Sequence, residues 1–285
     1  MVPDSPQGEN TYFIDAQSAA EMTRLVDFDQ YVTQAMGGAL SEHSDLSTIH
    51  SLLDIACGPG SWLLEVASAN PEIQAVGVDI NRIAISYANG QAKVRGLHNA
   101  SFRAMNALEP LDFPDASFDL VNVRNIGGFM PPEGWPAFLE ECMRILRPGG
   151  TLRLTEGEWG MSNKPAFAKL NGMITRALQK SGRSFSPDGR HYGMLPMLGH
   201  FLSIAGCRDI QRQSYVIDYS AGQEANAIVY QDAKVFGQLI QPFLITMGIT
   251  TKEEGEQVYQ EAMAAMLLDD FRGLVFLLTV WGQKA

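Results

Sequence analysis

Cysteine is scarce in this sequence, and long apolar runs are missing from it. The 285 residues include three cysteines, an odd number at wide spacing that fits neither a disulfide framework nor a zinc-binding pattern. No segment reaches the roughly 20 consecutive apolar residues that a membrane-spanning helix needs. Residues 1–10 lack the basic and apolar regions of a secretory signal. The sequence therefore predicts a protein of the reducing cytoplasm without a membrane segment.

Basic residues are outnumbered as well. The chain has 21 Lys and Arg against 32 Asp and Glu, a formal net charge of -11. Because a nucleic-acid-binding surface needs a basic excess to neutralise phosphates, nucleic acid is excluded as a partner. The hydrophobic share of 46% is ample for a packed core, and the length fits one large α/β domain with an added cap. The sequence does not determine the oligomeric state.

Apolar runs alternate with amphipathic stretches from Ser51 onward. This rhythm is typical of a mostly parallel sheet with helices on both of its faces. The sequence predicts a doubly wound α/β fold with a seven-stranded sheet and a helical cap. The strands are predicted at 51–56, 73–79, 100–105, 118–123, 151–156, 207–219 and 271–281. The helices are predicted at 14–36 with Asp15 as N-cap, 60–69, 81–96, 134–146, 163–181, 194–205 and across a long insertion at 222–270.

A glycine-rich turn, Gly58-Pro59-Gly60, separates the first predicted strand from the first helix of the alternating pattern. Glycine has no Cβ, so the backbone of such a turn can approach a ligand closely, and the helix that follows begins with unpaired N–H groups. Asp79 follows Gly60 by 19 positions, at the end of the second strand. At this spacing a βαβ unit presents a carboxylate to ribose hydroxyls. The turn and Asp79 together predict a nucleoside-containing cofactor.

Four segments in the same order resemble the motifs of one family. They are the cofactor loop Leu53-Asp54-Ile55-Ala56-Cys57-Gly58-Pro59-Gly60-Ser61, the acidic motif Gly77-Val78-Asp79-Ile80, the entry to strand four at 113–121, and the turn Leu146-Arg147-Pro148-Gly149-Gly150. Through them, residues 50–160 resemble the class I S-adenosylmethionine-dependent methyltransferases. The resemblance implies a Rossmann-like methyltransferase fold and S-adenosyl-L-methionine as cofactor. It also implies transfer of a methyl group to an O, N or C atom of a small, partly hydrophobic molecule.

Two other interpretations of the sequence compete with the prediction of a methyltransferase. A nicotinamide or flavin enzyme of the Rossmann type would need a third small residue in its glycine fingerprint, and Leu63 occupies that position. A protein that keeps the methyltransferase fold and binds the cofactor or another ligand, but catalyses a different reaction or none, stays open. The resemblance divides the chain into an N-terminal helical lid at 1–49, a cofactor-binding core at 50–160, and a remainder at 161–285. That remainder holds strands six and seven with helical insertions for the substrate.

The resemblance also implies where the cofactor would lie. Its methionine part is expected at the glycine loop, its ribose hydroxyls at Asp79, and its adenine at Ile80. Asn106 stands where the family commonly has an Asp, and Arg124 is unusual at the end of strand four, where a substrate carboxylate or an internal ion pair is the alternative. The expected cofactor-binding residues are Tyr12, Gln30, Asp54, Ala56, Cys57, Gly58, Gly60, Asp79, Ile80, Asn106, Ala107 and Arg124.

Methyl transfer needs a base only when the acceptor must lose a proton. The candidate catalytic residues are His191, in a loop rich in Ser, Gly and Pro, and Glu156 and Glu158, near the end of strand five. Strand ends face the ligand crevice of open α/β sheets, although such a carboxylate can instead bond neighbouring backbone. No metal site is expected, because Arg124 and Asn125 stand where a metal-dependent methyltransferase needs acidic ligands. A small molecule is the expected partner.

Overall fold

The computed structural model of the chain describes residue 14 and residues 18–285. One mixed sheet runs through these residues in the strand order β3-β2-β1-β4-β5-β8-β6, and β7 pairs with the other edge of β8. The strands are β1 (Ser51–Ile55), β2 (Gln74–Asp79), β3 (Ala100–Ala104), β4 (Phe118–Arg124), β5 (Leu146–Gly157), β6 (Met161–Ser162), β7 (Cys207–Asp218) and β8 (Gly273–Lys284). Strands β1 to β5 are parallel, and β8 is antiparallel to β5 and β7.

The predicted fold class is confirmed, with one strand more than predicted. The extra strand, Met161–Ser162, has two residues and pairs with the start of β8. A strand of two residues is too short to show the alternation by which strands are recognised in sequence. Strand β5 also begins earlier than predicted, because Leu146 already pairs with Phe118 before the chain bulges through Arg147–Gly150.

The helices follow the predicted segments closely. They are α1 (Ala19–Ala35), α2 (Ser61–Ala69), α3 (Arg82–Val94), α4 (Trp135–Ile145), α5 (Pro165–Lys180), α6 (Leu198–Ile204), α7 (Ala225–Leu239), α8 (Gln241–Thr246) and α9 (Lys252–Met266). Helix α1 begins at Ala19, where Ser18 is the N-cap and its hydroxyl accepts the N–H of Glu21. Asp15, the predicted cap, lies outside the described residues. The insertion predicted as one helical stretch is three helices.

Both faces of the sheet are covered. Leu53 and Val121 belong to one apolar cluster, whereas their neighbours Leu52 and Leu120 belong to a second. Successive residues of a strand point to opposite faces, so the two clusters lie on opposite sides of the sheet. None of the helices within residues 18–285 is both long and apolar enough to cross a membrane.

Candidate functional site

A cleft of about 210 Å³ opens at the carboxyl ends of β1, β2 and β4, where ligands bind in open α/β sheets. Its walls come from the loop after β1, the ends of β2 and β4, the segment after β3, and one face of α1. Nine of the twelve predicted cofactor residues line it together: Asp54, Ala56, Cys57, Gly58, Asp79, Ile80, Asn106, Ala107 and Arg124. Gly60 and Gln30 do not line the cleft, and Tyr12 lies outside the described residues.

The two glycines of the loop do different things. Gly60 has a φ of 79°, and a Cβ there would lie 2.5 Å from the Phe102 ring. It therefore lets the loop pack against β3 and is absent from the wall of the cleft for that reason. Gly58 has a φ of 54°, and a Cβ there would meet no atom of residue 14 or residues 18–285 within 4 Å. The described part of the fold therefore leaves the space beside Gly58 open.

Two residues in the walls of the cleft hold a strained backbone. Ala56 has a φ of 58° and Asn125 a φ of 55°, values that non-glycine residues rarely adopt. They follow β1 and β4, which are neighbours in the sheet. Such strain persists where the surroundings impose it and is concentrated at functional sites.

Asp79 ties the end of β2 to the glycine loop. Its Oδ2 accepts the N–H of Gly58 at 2.8 Å, and its Oδ1 accepts the N–H of Asn81 at 2.8 Å. Burial raises the pKa of this carboxyl, and the backbone hydrogen bonds oppose that rise. Because an ionised carboxylate has about four acceptor positions, both oxygens can accept further hydrogen bonds from the cleft.

Asp54 forms the inner end of the cleft. It is 4% exposed, and its Oδ1 accepts a hydrogen bond of 2.7 Å from the side-chain amide of Asn122. Burial raises its pKa to about 7, although the bond from Asn122 and the charge of Arg124 act in the opposite direction. At neutral pH this carboxyl is therefore divided between its charged and neutral forms.

The opposite end of the cleft is mostly apolar. Ile80, Met105, Ala107 and Leu108 form its walls beside Asn106. The side chain of Asn106 is engaged locally, since its Oδ1 accepts the N–H of Leu108 at 3.0 Å and its Nδ2 donates to Glu109 at 3.0 Å. One lone pair of Oδ1 stays available for a donor in the cleft.

Helix α1 closes the cleft along one side. The residues that it contributes are Glu21, Met22, Leu25, Phe28, Asp29 and Val32, which recur at helical spacing and so share one face. Gln30 is exposed and belongs to a different face of the helix. That placement does not support its predicted cofactor contact.

Ion pairs hold α1 in position at both ends. Arg24 donates to both carboxylate oxygens of Glu21 at 2.7 and 2.8 Å, and to Asp232 of α7 at 2.5 Å. Arg124 donates to Asp29 at 2.8 Å and to the hydroxyl of Thr33 at 3.1 Å. The internal ion pair that was the alternative for Arg124 is therefore present, and the same side chain also lines the cleft.

Glu156 differs from the other two predicted catalytic residues in its surroundings. It is 4% exposed, and its Oε1 accepts the N–H groups of Ile126 at 2.7 Å and Gly127 at 3.0 Å. No residue that the structure describes forms a hydrogen bond with its Oε2. Burial raises the pKa of Glu156 to about 7, against the two backbone hydrogen bonds. Glu156 can therefore take up or release a proton near neutral pH.

Glu158 and His191 are engaged elsewhere. Both oxygens of Glu158 accept backbone N–H groups, those of Tyr192 at 2.7 Å and Gly193 at 3.1 Å among them. It holds the loop before α6 to the end of β5, which is the structural alternative for this carboxylate. His191 is exposed, and its Nδ1 lies 3.3 Å from the hydroxyl of Ser186 in its own loop.

Sequence reasoning missed Tyr192 beside Glu156. Its hydroxyl is buried without a hydrogen-bond partner among the described residues, and a Cβ at Gly127 would collide with it. Burial, followed by the charges of Glu156 and Glu158, raises its pKa well above the ordinary value. Tyr192 directly follows His191 in the sequence, but a tyrosine in a loop belongs to no spacing pattern that would predict its role.

Known proteins resemble the chain most clearly over its first five strands. The family described as "Methyltransferase domain" matches residues 52–150. A demethylmenaquinone methyltransferase of Geobacillus stearothermophilus is 35% identical over 103 residues, which cover 34% of this chain and 41% of that protein. The chain spans about half the length of the curated relatives it matches.

Two solved structures share the fold over most of the chain. The YcgJ protein of Bacillus subtilis aligns with a TM-score of 0.54 at 19% identity, covering 88% of this chain and 99% of its own. A phosphoethanolamine N-methyltransferase of Haemonchus contortus aligns with a TM-score of 0.55 at 17% identity, covering 95% and 61%. At these identities the likeness concerns the fold. Residues 52–150 thus match a methyltransferase domain, and the chain shares the fold of these two structures over most of its length.

Proposed function

We propose that the protein transfers a methyl group from S-adenosyl-L-methionine to an O, N or C atom of a small, partly hydrophobic molecule. The observation that carries this proposal is the convergence of nine predicted cofactor residues on one cleft at the carboxyl ends of β1, β2 and β4. These residues come from four separate segments of the chain. The cleft has a polar end at Asp54 and a mostly apolar end around Ile80 and Ala107.

The composition of the cleft fits this cofactor. Asp54 and Asp79 supply carboxylates, while the positive charge of Arg124 is neutralised by Asp29. A sulfonium and an ammonium group favour such an acidic lining. The space beside Gly58, which a Cβ would enter without touching any residue that the structure describes, is of the kind that a ligand fills.

Each part of the cofactor has residues that would hold it. Asp79 would accept the ribose hydroxyls, the apolar residues around Ile80 and Ala107 would cover the adenine, and Asn106 would accept its amino group. Asp54 and the loop at Ala56–Gly58 would hold the methionine part. When bound, the cofactor supplies a methyl group already activated by the sulfonium. The protein then has to position the acceptor and exclude water.

The division of the chain at residues 49 and 160 belongs to the same proposal. Helix α1 acts as the lid, because one of its faces lines the cleft and its ion pairs reach both β4 and α7. Helices α5, α7, α8 and α9, which pack against one another, form the cap over the acceptor. A cytoplasmic location is also proposed, and the free thiols of Cys57, Cys142 and Cys207 support it.

Among the three catalytic candidates, Glu156 is the one that we assign to proton transfer. Its Oε2, which receives no hydrogen bond from the described residues, would accept the proton of the acceptor while the N–H groups of Ile126 and Gly127 hold Oε1 in place. The hydroxyl of Tyr192, which likewise has no partner in the part of the chain that the structure describes, would orient the acceptor. Glu158 would serve to hold the Tyr192 loop, and His191 lies too far toward solvent to be preferred.

Calorimetric titration with S-adenosylhomocysteine tests the proposal at its first step. We expect binding with micromolar affinity, and no binding up to millimolar concentration would contradict the proposed cofactor. Incubation of the protein with labelled S-adenosyl-L-methionine and a metabolite extract then tests methyl transfer. A labelled small product formed by the wild type and lost in Glu156→Gln is expected.

A further inference from the structure

A row of fully buried polar side chains crosses the sheet behind the cleft. Asp54, Asn122 and Arg153 are paired in register on the neighbouring strands β1, β4 and β5. Asn122 donates to Asp54 at 2.7 Å, and Arg153 donates to Oδ1 of Asn122 at 2.7 Å. Asn122 and Arg153 are both 0% exposed. Of these three residues, only Asp54 lines the cleft.

The far end of the row is an ion pair without contact to solvent. Arg153 pairs with Glu42, a residue of the segment between α1 and β1. The side chains of both residues are 0% exposed. The Arg153 guanidinium also lies over the ring of Trp62, 5.6 Å from its centre, and that ring lines the cleft. A buried ion pair of this kind is a costly way to stabilise a sheet, because apolar residues of similar volume often serve as well. Its position behind Asp54 suggests another role.

The hydrogen bonds of the row leave Asn122 one orientation. Its oxygen must face the guanidinium of Arg153, which can only donate, and its amide nitrogen must therefore face Asp54. Arg153 thereby determines that Asp54 receives a donor. The bond favours the ionised form of Asp54, and so does the positive charge two strands away.

We propose that Arg153 is a positioning residue of the cofactor site, which orients Asp54 through Asn122 and, with Glu42 as counter-charge, sets the fraction of Asp54 that is ionised. This inference rests on the proposed function, since it assigns Asp54 to the binding of the cofactor's cationic end. The charged and titratable groups around Asp54 are Arg124 of β4, Asp29 of α1, Arg153 of β5 and Cys57 of the glycine loop. At the far end of the row, His43 lies 3.8 Å from Glu42.

The charges predict opposite effects for two substitutions. In Arg153→Met the row loses its positive charge, so Asp54 ionises at higher pH. In Glu42→Gln the positive charge of Arg153 is no longer neutralised, so Asp54 ionises at lower pH. Both substitutions disturb the same buried ion pair, and a merely structural role would move affinity in one direction for both.

The test is the affinity of full-length protein for S-adenosylhomocysteine between pH 5.5 and 8.5, measured by titration calorimetry. For the wild type we expect affinity to weaken as the pH falls through about 7. The midpoint should rise by about one pH unit in Arg153→Met and fall by about one unit in Glu42→Gln. At pH 8.5 the affinity of Arg153→Met should be about tenfold weaker, the equivalent of one lost charge-assisted hydrogen bond.

Two further variants keep the test decisive. Arg153→Met alone leaves the buried charge of Glu42 unpaired and can prevent folding. The double variant Arg153→Met with Glu42→Gln removes both charges and should therefore fold. Its midpoint should return toward that of the wild type while the affinity at pH 8.5 stays weak. Thr279→Val removes the buried hydrogen bond of 2.9 Å between Thr279 and Thr155 on β8 and β5. This matched control should lose stability without any shift of the midpoint.

The outcomes separate the inference from the proposed function. Absence of binding by the wild type would overturn both. Binding by the wild type with unshifted midpoints, or with shifts of the same sign in Arg153→Met and Glu42→Gln, would overturn the role of Arg153 alone. Binding of the double variant at pH 8.5 with the affinity of the wild type would also overturn the role of Arg153.

Discussion

Arg124 of β4 donates a hydrogen bond of 2.8 Å to Asp29 of α1, across 95 positions of sequence. The pair joins the sheet to the helix that covers the cleft, and both residues line it. A second bond from Arg124 to Thr33 fixes the same turn of the helix. Arg124, the last residue of β4, therefore holds α1 in its position over the cleft.

Asp29→Asn should loosen this lid. The substitution leaves the largely buried Arg124 without its counter-charge, and we expect a loss of about 2 kcal/mol in the free energy of unfolding. Backbone amides of α1 should exchange with deuterium faster, and S-adenosylhomocysteine should bind more weakly. Asp27→Asn is the control, because Asp27 is exposed on the same helix. Equal exchange rates in the two variants would show that the Arg124–Asp29 pair does not hold the helix.

Asp79→Ala should weaken cofactor binding. The substitution removes the acceptor of two backbone N–H groups and the proposed acceptor of the ribose hydroxyls. Loss of two hydrogen bonds to the ligand corresponds to about 2 kcal/mol, or roughly thirtyfold in the dissociation constant. Calorimetric titration measures it, and Asp112→Ala, an exposed carboxylate outside the cleft, should leave the affinity unchanged. Wild-type affinity in Asp79→Ala would remove Asp79 from the site.

Local patterns were sufficient to predict the sheet, the glycine turn and Asp79. The alternation of strand and helix and the distance from Gly60 to Asp79 depend on neighbours in sequence. The parallel βαβ arrangement then brings the ends of consecutive strands together. The resemblance to the methyltransferase family implied the individual cofactor residues, and the nine that line the cleft each lie at or just after the end of a strand.

The contacts that surround the cleft depend on pairings that no local pattern contains. Arg24 meets Asp232 across 208 positions, and Asn122 meets Arg153 only because β4 and β5 adopt one particular register. A shift of that register by one residue would turn Asn122 to the opposite face. Glu158 was predicted as catalytic from its place after β5, but its backbone partners belong to a loop whose course the sequence does not reveal.

The two glycines of the loop should respond differently to alanine. Gly60→Ala forces a Cβ against Phe102 at a φ of 79°, and we expect a loss of about 3 kcal/mol in stability. The Cβ of Gly58→Ala meets no atom of the described residues, so only the backbone conformation costs energy, about 1 kcal/mol. Thermal unfolding measures both effects. Affinity for S-adenosylhomocysteine should nevertheless fall in Gly58→Ala, because Gly58 lines the cleft. Equal losses of stability in the two variants would contradict these roles.

Glu156→Gln should stabilise the protein above neutral pH while abolishing proton transfer. The pKa of Glu156 is about 7 in the folded protein against an ordinary value of 4.5, so between these values the folded state binds more protons than the unfolded state. The contribution of Glu156 to stability therefore falls as the pH rises through this window and is constant above it. Glutamine keeps the oxygen that accepts from Ile126 and Gly127 but carries no charge. Its advantage over the wild type should be small at pH 4.5 and approach about 3 kcal/mol at pH 8, as measured by urea unfolding across this range. A difference that does not change with pH would mean that Glu156 is not the buried, proton-binding carboxyl that catalysis requires.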